Sequence, residues 1–175
     1  MLESAEKLNN QAVEYVMHGN FDDAIACLKR AVIVEKENFI LWYNLALTYR
    51  DSGDYEDAIY YCKHAYDLNP DSMEVITTLT NLYFANGDIE NAKNYCTAGF
   101  VSEESNPEIW NLAGVIAFSE KDYEHAAAAF QRAVELNPFF YEALYNLRDT
   151  YETLGNERGV KECKRILSGL TPPSR

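Results

Sequence analysis

Residues 39–72 read FILWYNLALTYRDSGDYEDAIYYCKHAYDLNPDS, and this stretch decides the fold. Apolar side chains on both sides of Gly53 recur three and four positions apart, which is the spacing of one helical face. Gly53 can adopt a positive φ at little steric cost, and Asn69-Pro70 disfavours continuation of a helix. The stretch therefore predicts two amphipathic helices joined by a tight turn. Their core faces carry Trp42, Leu45, Ala46 and Tyr49 in the first helix, and Ala58, Ile59, Cys62, Ala65 and Tyr66 in the second.

The same pattern returns every 34 residues along the chain. The turn position of Gly53 is occupied in the other copies by Gly19, Gly87, Lys121 and Gly155. The position of Tyr49 is occupied by Tyr15, Tyr83, Ala117 and Tyr151. Periods of this length indicate a stack of identical supersecondary units. We predict one domain over 1–175 with repeats at 5–38, 39–72, 73–106, 107–140 and 141–174, the last acting as a C-terminal cap.

Residues 42–70 also resemble a known family. Their order W-x-x-L-A-x-x-Y…G-D-Y…A…C…A…P and the 34-residue length are similar to tetratricopeptide repeats. The resemblance implies an all-α fold, a right-handed superhelical α-solenoid of antiparallel helix pairs. It also implies a non-catalytic scaffold that holds a peptide or protein partner in a concave groove.

Charge narrows the class of partner. The 175-residue chain has a net charge of −13, which argues against nucleic acid and anionic membranes. Residues 1–147 hold 24 acidic and 9 basic side chains, whereas residues 148–175 hold 4 and 6. No apolar run approaches the roughly 18 residues needed to cross a bilayer, and the first residues lack a signal-peptide pattern. We expect no membrane insertion and a cytoplasmic location.

Side chains capable of chemistry form no recognisable catalytic or metal-binding pattern. Cys27, Cys62, Cys96 and Cys163 fall within one residue of the same repeat position, so we expect buried free thiols. His18, His64 and His125 occupy three different repeat positions without an assignable nucleophile. We therefore expect no enzyme activity, metal or cofactor.

By the resemblance, the first helices of successive repeats line the groove. The predicted ligand-binding residues are Asn9, Tyr43, Asn44, Leu47, Arg50, Thr77, Asn81, Phe84, Asn111, Val115, Phe118, Tyr145 and Asn146, with Val13 and Val16 beside them. The predicted charge partners are Glu74, Glu108, Glu142 and Asp51. An asparagine amide both donates and accepts, so a row of them could hold an extended backbone. The same asparagines could instead bond their own neighbours, and adjacent repeats could cover Leu47 and Val115.

One subclass of the family binds C-terminal carboxylates of chaperones through Lys, Asn, Asn, Lys and Arg. Asn44 matches one asparagine, but Asn9, Glu74 and Thr78 stand where the cations belong. We therefore predict a neutral or basic partner and exclude that subclass.

Two other functions stay open from the sequence. The protein could self-assemble as a structural tetratricopeptide-repeat protein, or act as a co-chaperone or assembly factor that binds a folded partner through its edge or convex face. The sequence also leaves the oligomeric state open between a monomer and weak self-association. The run Ala126–Ala129 predicts a thin second helix whose small side chains could let another body approach.

Overall fold

The computed structural model describes residues 3–169, and these are entirely helical apart from short connections. The repeat pattern predicts two helices per unit, and the all-α fold is confirmed. The helices are α1 (Ala5–Met17), α2 (Phe21–Val34), α3 (Phe39–Ser52), α4 (Tyr55–Leu68), α5 (Met73–Ala85), α6 (Ile89–Ser102), α7 (Pro107–Ser119), α8 (Tyr123–Leu136), α9 (Tyr141–Thr153) and α10 (Glu157–Gly169). The tail 171–175, predicted to be disordered, lies outside the described residues.

Local capping explains where the helices begin and end. Ser4 accepts a hydrogen bond from the Lys7 backbone N–H at the start of α1. Asn106 caps α7, with Pro107 at its first position. At the reversal between α3 and α4, Gly53 has φ 90° and Asp54 accepts from the Asp57 backbone N–H. These are the start and stop signals that the sequence carries.

Each repeat has a turn between its two helices. At the α7–α8 turn Lys121 adopts the backbone conformation that a glycine adopts at this turn in each of the other four repeats. Its φ is 65°, in the left-handed region that a Cβ disfavours. Lys121→Gly should therefore raise the free energy of unfolding by about 0.5–1 kcal/mol, after the greater freedom of glycine in the unfolded chain is included. Urea unfolding with an unchanged m-value measures this effect.

The matched control for Lys121→Gly is the reverse change, Gly53→Lys. A Cβ at Gly53 would meet no atom within 4 Å, so only the backbone conformation opposes the substitution. Gly53→Lys should lower stability by a similar amount. Stabilisation by both substitutions, or by neither, would contradict the backbone explanation.

The chain divides into two compact units, residues 1–92 and 93–175. In the first unit, α1 packs on α2 and α3 on α4, and α2 and α4 pack on the helices that follow them. A buried cluster joins the first three helices, with Trp42 packed against it: Ala5, Leu8, Ala31, Val32 and Leu41. The short turns make each pair antiparallel.

The second unit repeats this arrangement with α7 on α8, α8 on α9 and α9 on α10. Its buried cluster contains Ala126, Ala127, Phe130, Leu147 and Cys163. Gly114 in α7 lies directly against the Phe130 ring. That one solenoid domain spans 1–175 stays a prediction.

Several polar contacts recur at equivalent repeat positions. Trp42 Nε1 donates to the Lys36 carbonyl at 2.7 Å, and Trp110 Nε1 donates to the Glu104 carbonyl at 2.7 Å. Each indole thereby ties a first helix to the loop before it.

The cysteines are free and buried, as predicted. Cys62 Sγ lies 3.8 Å from the Val75 carbonyl oxygen, and Cys96 Sγ lies 3.8 Å from that of Ile109. Burial raises the pKa of the Cys62 thiol to about 12 and that of Cys96 to about 11. Because the thiolate is the reactive form, these cysteines act as core residues.

Candidate functional site

A cleft lies in the first unit between α1 and α3, with α2 at its base. Its volume is about 190 Å³. Four of the predicted site residues line it together: Asn9, Asn44, Leu47 and Asp51. Val13 and Val16, predicted beside them, complete the wall. We name this the α1–α3 cleft.

The asparagines form a polar end to the α1–α3 cleft. Asn44 Nδ2 in α3 donates to Asn9 Oδ1 in α1 at 2.8 Å, and the two residues are 35 positions apart in the chain. This bond uses one donor of Asn44 and one acceptor of Asn9. Asn9 Nδ2 and Asn44 Oδ1 keep hydrogen-bonding capacity, because an amide carries two donors and two acceptor lone pairs. The pair therefore presents one donor group and one acceptor group.

Asp51 stands two helical turns from Asn44 along α3. Its Oδ1 accepts from Arg50 Nε at 2.9 Å, and Arg50 Nη2 lies 2.8 Å from the same oxygen. Both side chains are partly exposed, so the pair is screened by solvent. Residues 1–92 carry 16 acidic and 6 basic side chains, a net charge of −10. The unit that contains the cleft is thus strongly acidic.

The other predicted residues of the first unit fall outside the cleft. The Tyr43 hydroxyl lies 3.0 Å from Thr78 Oγ1 and donates to the Glu74 carbonyl at 3.3 Å. Thr77 is buried and donates to the same carbonyl. The Tyr43 contacts join α3 to α5, whereas the Thr77 bond lies within α5, so both side chains serve the helical framework.

Glu74, Asn81 and Phe84 lie on α5. Glu74 is exposed, and its own backbone N–H together with the Ser72 hydroxyl holds its pKa below the usual range. It is therefore an anion at neutral pH, as a charge partner must be. Asn81 is exposed and Phe84 half-buried.

In the second unit, Asn111 is only 2 % exposed. Its Nδ2 donates to Glu142 Oε1 at 3.2 Å, and its Oδ1 accepts from Asn146 Nδ2 at 3.0 Å. Both ends of the amide are occupied inside the protein. Asn111, Asn146 and Glu142 therefore form an internal network, which is the alternative that the sequence left open for the asparagines.

The remaining predicted residues of this unit are spread over α7 and α9. Val115 is half-buried against the core cluster. Phe118 is partly exposed and meets Tyr123 edge-on, with ring centroids 5.1 Å apart. Tyr145 is exposed beneath the Arg148 guanidinium, 5.0 Å from its ring centroid, and Glu108 is exposed.

Sequence reasoning missed part of the α1–α3 cleft, namely Ala12, Met17, Leu28 and Thr48. Leu28 belongs to a second helix, which the repeat pattern assigns to the core. Met17 lies one turn after Val13, and this spacing could have identified it.

Among residues 3–169, no three His, Cys, Asp or Glu side chains are grouped so that they could hold a metal ion. The His125 ring lies 2.8 Å from Asp122, a contact that lowers the carboxyl pKa. Asp122 also accepts from the His125 backbone N–H, so the pair caps α8. No described helix is long and apolar enough to cross a membrane.

Comparison with known proteins identifies the family. Sequence models described as tetratricopeptide repeat match residues 9–72, 49–116 and 107–140. The chain is a tetratricopeptide repeat (TPR) protein. No curated protein matches this TPR chain by sequence.

Solved TPR structures share its fold. A fragment of MamA from Desulfovibrio magneticus, from residue 41 to its end, has a TM-score of 0.81 at 16 % identity, covering 96 % of each chain. PilF of Pseudomonas aeruginosa has a TM-score of 0.83 at 12 % identity, over 97 % of this chain and 78 % of PilF. A thermophilic TPR protein of Thermus thermophilus gives 0.77 at 16 %, over 98 % and 93 %. At these identities the likeness concerns the fold, and TPR folds generally serve protein–protein interaction.

Proposed function

We propose that this TPR protein is a non-enzymatic scaffold that binds a neutral or basic segment of a protein partner in the α1–α3 cleft. The observation that carries the proposal is the convergence of Asn9, Asn44, Leu47 and Asp51 on one apolar-walled cleft. A cytoplasmic location remains part of this proposal.

The cleft suits one aliphatic side chain of the partner. A cavity of about 150 Å³ lined by apolar groups holds a benzene-sized molecule, so about 190 Å³ is enough for a leucine or methionine. Val13 is exposed and Val16 and Leu47 are half-buried, so partner contact would remove apolar surface from water. Burying one such side chain contributes about 1.5–3 kcal/mol.

The amide pair suits the backbone of the same segment. Asn9 Nδ2 can donate to a carbonyl and Asn44 Oδ1 can accept from an N–H. One peptide unit offers the complementary pair. Recognition of this kind holds an extended chain without depending on its side chains.

The charge of the first unit suits a basic residue next to the apolar one. A net charge of −10 attracts cations over a range set by the Debye length, about 8 Å at physiological salt. Because Arg50 already pairs with Asp51, the attraction comes from the whole surface rather than one carboxylate. We expect it to speed association more than it lowers the dissociation rate.

The test uses two exposed valines of the same unit. Val13 lines the cleft and is 49 % exposed, whereas Val34 ends α2 away from the cleft and is 52 % exposed. Peptides can be selected from a random 12-residue library for binding to the intact protein. The selected peptides should combine an aliphatic residue with Lys or Arg. Val13→Lys should weaken the best peptide by about tenfold or more, because a buried contact worth over 1.4 kcal/mol is lost.

Val34→Lys is the control and should leave the dissociation constant of that peptide unchanged. Fluorescence anisotropy of the labelled peptide measures both variants. Equal weakening by the two lysines would indicate general charge repulsion and contradict binding in the cleft. Enrichment of acidic peptides would contradict the proposed partner chemistry.

A further inference from the structure

A second concavity lies in the second unit, on the side formed by α6, α7 and α8. Its volume is about 720 Å³. Its apolar lining includes Phe100, Trp110, Ala113, Ala117, Ala128 and Ala129. We name it the outer groove. The α1–α3 cleft shares no residue with it.

The first unit contains the equivalent position two repeats, or 68 residues, earlier in the chain. Its side chains show what fills this space there. The four alanines of the outer groove correspond to Leu45, Tyr49, Tyr60 and Tyr61. The rings of Tyr49 and Tyr61 stack there with centroids 5.2 Å apart and an interplanar angle of 10°. Trp42, the equivalent of Trp110, stacks on His64 at 4.7 Å. In the first unit, therefore, the chain's own aromatic rings occupy this position.

A cation completes the arrangement in the first unit. Lys29 Nζ lies 5.4 Å from the Tyr49 ring centroid and 5.9 Å from that of Tyr61. These distances are within the range of cation–π attraction. The second unit has Thr97 at the position of Lys29, so it lacks the cation together with the rings.

The charges around the outer groove favour a basic ligand. Arg132 pairs with Glu135 at 3.1 Å, and His125 contacts Asp122. Among the described ion pairs, none involves Glu104, which is exposed at the end of the groove. An incoming Lys or Arg would therefore meet an unneutralised carboxylate, whereas an incoming acid would meet Arg132, which already has a partner.

We propose that the outer groove binds a protein segment carrying two aromatic side chains and a neighbouring Lys or Arg. The aromatic side chains take the place that Tyr49 and Tyr61 occupy in the first unit, and the neighbouring cation reaches toward Glu104. Stacked or edge-on aromatic contacts with Trp110 and Phe100 give the site its preference for rings over aliphatic groups. This binding is independent of the proposed function of the α1–α3 cleft.

The probe is the peptide acetyl-Lys-Tyr-Ala-Tyr-Lys-amide, titrated into the ¹⁵N-labelled full chain. The amide signals of Ala113, Ala117, Ala128 and Ala129 should shift with a common saturation curve. The peptide with both tyrosines replaced by alanine should bind at least about tenfold more weakly, since each ring contributes area and stacking. Equal binding of the two peptides would overturn the proposal.

Two variants test the location of the peptide. Ala117→Tyr with Ala129→Tyr rebuilds the aromatic filling of the first unit and should abolish the shifts. Ala128→Lys places a cation on an exposed position of the groove and should weaken the peptide by about tenfold or more, while its exposure leaves folding intact. Ala26→Lys is the control, because Ala26 is exposed and occupies the same repeat position in the first repeat.

Unchanged affinity in Ala128→Lys, or an equal loss in Ala26→Lys, would overturn the outer groove as the site. Shifts confined to Asn9, Val13 and Leu47 would also overturn it, while they would agree with binding in the α1–α3 cleft. The two proposals can therefore fail separately.

Discussion

Gly114→Ala should lower the free energy of unfolding by about 1–3 kcal/mol, because it overpacks the core of the second unit. A Cβ built on Gly114 lies 2.5 Å from Cε1 and 2.6 Å from Cδ1 of Phe130. Phe130 is buried, with other core residues around it, so its ring has little room to move. The greater helix propensity of alanine, up to about 1 kcal/mol, offsets only part of this cost.

The equivalent pair in the second repeat shows how this steric clash can be avoided. Ala46 occupies the position of Gly114 there and the smaller Cys62 that of Phe130, and both are fully buried. Phe130→Cys alone should also destabilise the protein, because it leaves a cavity. Combined with Gly114→Ala, it should cost at least about 1 kcal/mol less than the sum of the single changes. Urea unfolding of the four proteins completes the double-mutant cycle, and additive effects would contradict the contact.

Asn111→Ala should lower the free energy of unfolding by about 1–3 kcal/mol. The side chain is buried, and its removal deprives Asn146 of an acceptor and Glu142 of a donor. Losing two side-chain hydrogen bonds, each worth about 0.5–1.5 kcal/mol, together with the packing of a buried side chain costs about this much. Thermal or urea unfolding measures the loss.

Asn9→Ala is the matched comparison for Asn111→Ala, since each asparagine accepts one bond from the asparagine 35 positions later. Asn9 is half-buried, so water can replace the lost partner of Asn44, and stability should fall by about 0.5 kcal/mol or less. Its effect should instead appear in the affinity of the peptides selected on the α1–α3 cleft. A loss of stability as large as that of Asn111→Ala would assign Asn9 to the framework.

The repeat framework was predictable because it depends on local rules. The spacing of apolar residues, Ser4 as a cap and Gly53 at the turn fix helix ends within one chain segment. The period of 34 then transfers each assignment to the next repeat. The buried cysteines followed from the same register.

The candidate site was only partly predictable, because its contacts join helices that the register alone does not align. Asn9 with Asn44, Tyr43 with Thr78 and Asn111 with Asn146 are each 35 residues apart, one more than the repeat. The sequence marked Tyr43 and the asparagines as groove residues, with bonds to their neighbours as the alternative for the asparagines, but it did not reveal which residues pair. The alanine run in α8 was visible, whereas the stacking of Tyr49 on Tyr61 in the equivalent space was not.

The chain contains two tryptophans, and the division at residues 92 and 93 leaves one in each unit. Their indole N–H groups make the same hydrogen bond, but their rings have different neighbours: His64 and Tyr61 beside Trp42, and Phe100 beside Trp110. Each unit therefore carries its own intrinsic fluorophore. With the other tryptophan replaced by phenylalanine, the emission of either one reports the melting or ligand response of a single half of the protein, without an added label.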